Sequence, residues 1–220
     1  RCREVSWARD VYKRQGDYIW VLIRTATLRD KEGNPLKIVG VILDIDRAKK
    51  SEQQLTTRAS FDALTELYNR ETIESQIDNE ITLSEARKSE MAVLFIDVDD
   101  FKHYNDQYSH ATGDQVLKFV ARTIKGTVNE FGFAGRYGGD EFIACIRNAE
   151  INDPTRAAQD IISKLEEGFE CDGVHLTVSV SIGISMIKDD YNTRVEYIIG
   201  KADDAMYSVK KNGKSNYAFI

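Results

Sequence analysis

Residues 91–100 read Met-Ala-Val-Leu-Phe-Ile-Asp-Val-Asp-Asp, six apolar residues followed at once by three carboxylates in four positions. A short apolar run with β-branched and aromatic members is the pattern of a strand buried on both faces. Carboxylates crowded at its end repel one another and are costly to keep charged unless a cation neutralises them. Taken alone the run fits two things, a divalent-metal site and a solvated acidic turn. A second stretch, Arg136-Tyr-Gly-Gly-Asp-Glu-Phe142, places two glycines between strand-like flanks. That is the signal of a tight hairpin whose backbone can enter positive φ and let a ligand come close. Paired beside 91–97, it brings Asp97 and Asp140 toward one hard cation, which takes oxygen ligands and commonly keeps substrate phosphates in its shell. Two such ions about 3.5–4 Å apart activate a hydroxyl nucleophile and neutralise a leaving pyrophosphate.

Outward from these stretches, helical periodicity predicts helices near 71–88, 114–127, 154–168 and 194–211, interleaved with strands at Met91–Asp97, Phe133–Tyr137, Glu141–Ile146 and Val174–Ser185. The mixture implies an α+β (α/β sandwich) domain over 61–220, a central sheet covered by helices. Cations stand near the acidic turn. Lys102 follows it, and Lys210-Lys-Asn-Gly-Lys214 closes the last helix, where Lys210 and Lys214 either complement the helix dipole or reach phosphate. Helix logic by itself favours the capping role. Asn105 and Asp114 offer an amide and a carboxylate able to read a purine edge, although nothing in their spacing demands guanine. His110 has no Ser or Cys partner pattern and reads as structural.

The 220 residues leave room for one full domain and a small second unit. With 42% hydrophobic and 30% charged residues, disordered, collagen-like and fibrous classes are excluded. The net charge of −6 hides an asymmetry: residues 1–60 carry 13 Lys+Arg against 8 Asp+Glu, and residues 61–220 carry 17 against 28. The larger part lacks the basic stripe that grips a polynucleotide, which favours a small nucleotide over nucleic acid. Three cysteines without CxxC or Cys/His spacing argue against a disulfide framework or zinc site and for a reducing compartment, the expected setting being cytoplasmic or the cytoplasmic portion of a membrane-bound sensor. No run approaches the ~18–20 apolar residues of a membrane span, so no direct membrane contact is expected within this chain.

The start of the chain differs in kind. It begins at Arg1, which reads as a piece of something longer. Residues 1–16 show no clear apolar period; they are either foreign sequence or native sequence without a legible pattern, and are set aside from fold reasoning. Tyr18–Arg29 and Lys37–Asp44, separated by the turn formers Asp30–Pro35, read as a hairpin. Two strands make no independent core. With the Trp20 strand, the Asp30–Asn34 turn and the exit Asp44-Ile-Asp-Arg-Ala, residues 17–46 resemble the C-terminal end of a PAS sensor domain. In the following linker helix, 47–60, Ala48, Glu52, Leu55 and Ala59 form a short seam that suits a dimerising coiled coil and a plain linker equally.

Six motifs in order make the larger part similar to the GGDEF domain of diguanylate cyclases. They are Asp62-Ala-Leu-Thr-Glu-Leu-Tyr-Asn-Arg70, Phe95-Ile-Asp-Val-Asp-Asp-Phe-Lys102, Gly113-Asp114, Gly138-Gly-Asp-Glu-Phe142, Val178-Ser-Val-Ser-Ile-Gly-Ile-Ser185 and Lys201-Ala-Asp-Asp-Ala-Met-Tyr207. The resemblance implies a palm-like sheet whose hairpin carries Gly-Gly-Asp-Glu-Phe, and condensation of two GTP into cyclic di-GMP with release of two pyrophosphates. It also implies Mg²⁺, or Mn²⁺, on Asp97, Asp140 and the Val98 carbonyl, with Glu141 assisting the metal or the 3′-hydroxyl. Asn105 and Asp114 become guanine readers. Phe101 with neighbouring amides, Lys102, Lys210 and Lys214 contact phosphate, and the Gly138-Gly139 backbone lies close to the nucleotide. Position 214 often holds Arg in the family, and Lys there weakens bidentate phosphate contact. One departure stands out: the positions of the family's inhibitory Arg-x-x-Asp hold Asn129, Glu130, Phe131 and Gly132. The expected actor is a homodimer paired through the linker helix and the PAS-like region. The rivals are a non-catalytic module that senses GTP or docks a partner, and a palm-type cyclase acting on a single nucleotide.

Overall fold

The computed structural model describes residues 4–12, 18–48, 60–150, 152–188 and 193–220, in two units, Arg1–Ala59 and Ser60–Ile220. In the first unit, strands β1 (Glu4–Tyr12), β2 (Tyr18–Arg29) and β3 (Pro35–Asp44) pair antiparallel in that order. The β2–β3 hairpin forms where the sequence predicts it. Asp30 drives its turn, accepting the Glu32 and Asn34 amides at 2.9 and 2.8 Å, and Gly33 supplies a φ of +91°. β1 lies within the stretch set aside above for want of a period. Residues 46–48 are helical; Glu52, Leu55 and Ala59 of the predicted seam lie outside the described residues.

The second unit is a five-stranded sheet in the order β10-β9-β4-β6-β5, using β4 (Met91–Val98), β5 (Gly132–Arg136), β6 (Glu141–Arg147), β9 (Val180–Ile187) and β10 (Asn216–Phe219). β4 is buried along its whole length and pairs antiparallel with both β6 and β9. Its alternation sorts the core into two layers. Ala92, Leu94, Ile96 and Val98 pack with α3 (His110–Val128) and α4 (Pro154–Glu167). Met91, Val93 and Phe95 pack with α1 (Arg70–Arg87) and α5 (Val195–Lys211). Asp97 continues the second series, and its side chain is therefore aimed at the face that α5 covers.

Helix ends follow their capping residues. Asn69 accepts the Thr72 amide at the start of α1, Ser109 that of Thr112 before α3, and Asp153 that of Thr155 before α4, where Pro154 opens the helix. Three departures from the predicted elements have physical reasons. α3 begins at His110 rather than 114, because Ser109 supplies its cap. The strand expected over Val174–Ser185 is two: β8 (Val174–Leu176) forms a small hairpin with β7 (Phe169–Cys171), and only β9 enters the main sheet. Helix α2 (Phe101–Gln107) and β10 are too short to show a period of their own.

Candidate active site

The hairpin and β4 meet in register. Asp97 is the Cα partner of Glu141, and the Val98 amide donates to the Asp140 carbonyl at 3.1 Å, which fixes Asp140 beside the end of β4. The turn is closed by the Tyr137 and Gly138 amides, both donating to the Glu141 carbonyl. Gly138 and Gly139 do not use positive φ, contrary to the sequence expectation. Gly138 is required by space instead: a Cβ there would stand 2.2 Å from Glu141 Oε2, whereas one on Gly139 would meet nothing within 4 Å. Arg136 straps the tip from outside, donating to the Gly139 carbonyl at 2.6 Å and pairing with Asp62 at 3.2 Å. Asp62 also accepts the Thr65 amide and hydroxyl, so the Asp62–Thr65 turn anchors the strap.

Asp97 is 5% exposed. Its Oδ1 is buried without a hydrogen bond of adequate geometry, and the Lys210 ammonium stands 2.6 Å from it. Burial pushes the Asp97 carboxyl up to about 6; Lys210 opposes the shift, and the charges of Asp140 and Glu141 add to it. Glu141 is raised by burial and then by Asp140 and Asp203. Asp203, on α5, is itself raised by burial and by Asp204. Carboxylates are thus held together with Lys210 as the counter-charge in contact with Asp97, and Arg70 and Lys214 acting from further away. Lys210 therefore faces the acidic centre, and the capping role that helix logic favours is overruled. The helix end is closed instead by Asn212, whose amide side chain donates to the Ser208 carbonyl, and by Gly213 at φ +116°.

This arrangement fits a hard divalent cation: a desolvated carboxylate oxygen beside two further carboxylates has only the Lys210 ammonium to meet its charge. Among the described residues no group of three or more His, Cys, Asp or Glu could hold a metal ion. An ion here would be shared between the carboxylates of Asp97 and Asp140, backbone carbonyl oxygen and the oxygens of a bound phosphate.

The other predicted residues fall into two sets. Lys214 Nζ pairs with both oxygens of Asp100 at 2.7 Å, drawing the end of α5 to the acidic turn. Phe101 and Asn105 lie on α2 against Gly113, where a Cβ would stand 2.1 Å from Asn105 Oδ1 and 3.3 Å from Phe101 Cζ. Gly113 thus lets α3 approach the Asn105 amide, and Asp114 follows it, exposed, on the same helix. Lys102 is exposed and pairs with none of the described residues. Asn129 caps the end of α3 and Gly132 opens β5, so no Arg-x-x-Asp pair stands at that corner.

Sequence reasoning passed over Asp99, Asp203 and Arg136 as site residues. Asp99 is 3% exposed and accepts the hydroxyls of Ser179 and Ser181 at 2.5 and 2.7 Å. The signal was present in Val178-Ser-Val-Ser181, where hydroxyls recur every second residue of an otherwise apolar run.

Residues 59–216 match the diguanylate cyclase, GGDEF domain family, and the chain belongs to it. It is 34% identical over 171 residues to the bifunctional diguanylate cyclase/cyclic di-GMP phosphodiesterase MucR of Pseudomonas aeruginosa, covering 78% of this chain and 25% of that protein. It is 35% identical over 158 residues to diguanylate cyclase DosC of Escherichia coli, covering 70% of this chain and 34% of that one. The fold is shared with the GGDEF domain of PA1120 from P. aeruginosa, with a TM-score of 0.68 and 33% identity, covering 72% of this chain and 93% of that one. The chain therefore spans about a quarter to a third of the length of these two curated relatives.

Proposed function

We propose that the 61–220 domain is a diguanylate cyclase that condenses two GTP into cyclic di-GMP and releases two pyrophosphates. The observation that carries the reading is the acidic centre itself: the buried Asp97 beside the half-buried Asp140 and Glu141 of the hairpin, with the Lys210 ammonium 2.6 Å from Asp97. Family membership and named cyclases among the relatives support it. In this reading Asp97, Asp140 and the Val98 carbonyl hold Mg²⁺ or Mn²⁺. When bound, the ion polarises phosphate oxygens and lowers the pKa of a coordinated hydroxyl.

The chain's own residues do the rest by positioning and charge. Asn105 and Asp114 take the guanine edge, the carboxylate accepting from N1–H and N2–H. Phe101, Lys102, Lys210 and Lys214 take the triphosphate, and the Gly138-Gly139 backbone lies along it. Glu141, in this reading, assists the metal or accepts the proton of the 3′-hydroxyl. One domain holds one nucleotide, so two domains face each other and each 3′-oxygen attacks the other's α-phosphorus. The homodimer would be set by the linker helix and by the 17–46 hairpin, read as the end of a PAS-type sensor regulating a cytoplasmic enzyme. No described helix is long and apolar enough to cross a membrane. Absence of the Arg-x-x-Asp pair argues against product inhibition through that pair, since Asn129 cannot supply the bidentate grip of Arg.

The test is incubation of the protein with GTP and Mg²⁺ beside an Asp140→Ala control, with nucleotide products separated chromatographically. Cyclic di-GMP from the intact protein alone is the expected result. GTP bound and left unconverted would favour the non-catalytic module, and a cyclic mononucleotide the single-substrate cyclase.

A further inference from the structure

Gly213, Lys214 and Ser215 have φ of +116°, +63° and +43°, three consecutive residues in the left-handed region of which only the first is glycine. Two adjacent non-glycine residues keep such backbone only where their surroundings hold them there. Three groups hold them: the Val209 carbonyl accepts the Lys214 amide at 3.1 Å, Glu166 accepts the Ser215 hydroxyl at 2.7 Å, and Asp99, the buried one, takes the Ser215 amide. Asp99 Oδ2 accepts that amide at 3.2 Å, while the Ser179 and Ser181 hydroxyls occupy the rest of the carboxylate and the Asp99 amide donates to the Ser179 carbonyl at 2.9 Å. Among the described residues no cation makes a salt bridge with this buried carboxylate, so hydrogen-bond donors meet its desolvation directly and the nearby Lys214 charge adds to them. An apolar residue would fill the space at lower cost. What Asp99 adds is a fixed link from the end of β4 to the backbone beside Lys214, whose ammonium lies 2.7 Å from the neighbouring Asp100.

We propose that Asp99 is a positioning residue for nucleotide binding. It holds the 213–215 turn so that the Lys214 ammonium stands over the acidic end of β4, and through Lys214 it sets affinity for the β- and γ-phosphates of the substrate. This rests on the reading of Lys214 as a phosphate contact. On binding, Lys214 exchanges Asp100 for phosphate while Asp99 keeps its grip on the Ser215 amide. Asp99 therefore acts on the triphosphate end of the ligand and leaves base recognition alone.

The experiment is calorimetric titration of the full chain, with Mg²⁺, using the α,β-methylene analogue of GTP and, separately, GMP. Asp99→Ala is expected to weaken the analogue by ~10-fold or more and GMP by less than ~3-fold, as is Lys214→Met, with the double variant no weaker than Lys214→Met alone. Asp99→Asn, which keeps an acceptor for the Ser215 amide, should return analogue binding to within ~3-fold of the parent. The proposal is overturned if Asp99→Ala binds the analogue like the parent, weakens both ligands equally, or adds its full effect to Lys214→Met. Should Asp99→Ala not fold, Ser215→Pro removes the same donor and the left-handed φ without entering the buried cluster. Unchanged analogue binding by that variant overturns the proposal equally. A parent chain that binds neither ligand overturns both this inference and the functional reading; binding by the parent with no effect of Asp99 removes the positioning role alone.

Discussion

Asp97 carries the largest electrostatic cost in the site, and its pH dependence follows from the sign of its shift. Its folded pKa of about 6 lies above the ordinary carboxylate value of 3.8, so between the two the folded protein binds more protons than the unfolded chain. Stability is therefore full below the unfolded value and falls as pH rises toward 6. Asp97→Asn removes that loss: without metal at neutral pH it should stabilise the protein by ~1–3 kcal/mol, while abolishing turnover. Thermal melts in a chelator across the acidic range check this; an Asp97→Asn melt below the parent's at neutral pH would contradict it. Asp97 was legible from sequence because the Gly-Gly hairpin could be paired beside the acidic end of its strand; the strand end alone fits a solvated turn as well. Asp99, two residues on, was not, since its partners Ser179, Ser181 and Ser215 are distant in the chain and only the fold brings them together.

At the scale of elements, glycines separate positions that shape the site from those that shape the fold. Gly138→Ala pushes only the far end of the Glu141 side chain, so the domain should keep its melting temperature and lose ~10-fold or more of its activity. Gly139→Ala meets nothing within 4 Å and should leave stability within ~0.5 kcal/mol. Gly183 is the contrasting case: a Cβ there would stand 1.9 Å from the Ala202 carbonyl and 2.3 Å from the Met206 amide, where α5 lies on β9. Gly183→Ala must part helix from sheet and should destabilise by ~2 kcal/mol or more, read by denaturant unfolding. Gly113→Ala should displace the Asn105 amide and raise the KM for GTP by ~10-fold with the melt unchanged. The long helices were legible because their burial is periodic, and β4 because its run is apolar without a break. α2, β10 and the division of 174–187 into β8 and β9 were not, because a few residues hold no period and strand pairing is a tertiary choice.

The whole molecule joins an acidic domain, residues 61–220, to a segment of opposite charge balance. In the proposed mechanism one domain supplies half of the reaction centre, so activity per molecule should rise with enzyme concentration until dimers saturate. The missing Arg-x-x-Asp pair predicts that added cyclic di-GMP leaves the rate unchanged through the low micromolar range; half-inhibition there would contradict that reading. Neither property is visible in one chain's fold, which is why the proposed dimer and its control rest on family resemblance alone, whereas the meeting of Asp97 with the Asp140–Glu141 hairpin was legible from the residues and Asp203 was not. The most direct measurement is the product formed from GTP and Mg²⁺ over a series of enzyme concentrations. The account predicts cyclic di-GMP, with specific activity rising as the enzyme is concentrated and no product from Asp140→Ala. No conversion at any concentration, or a cyclic mononucleotide as product, would contradict it.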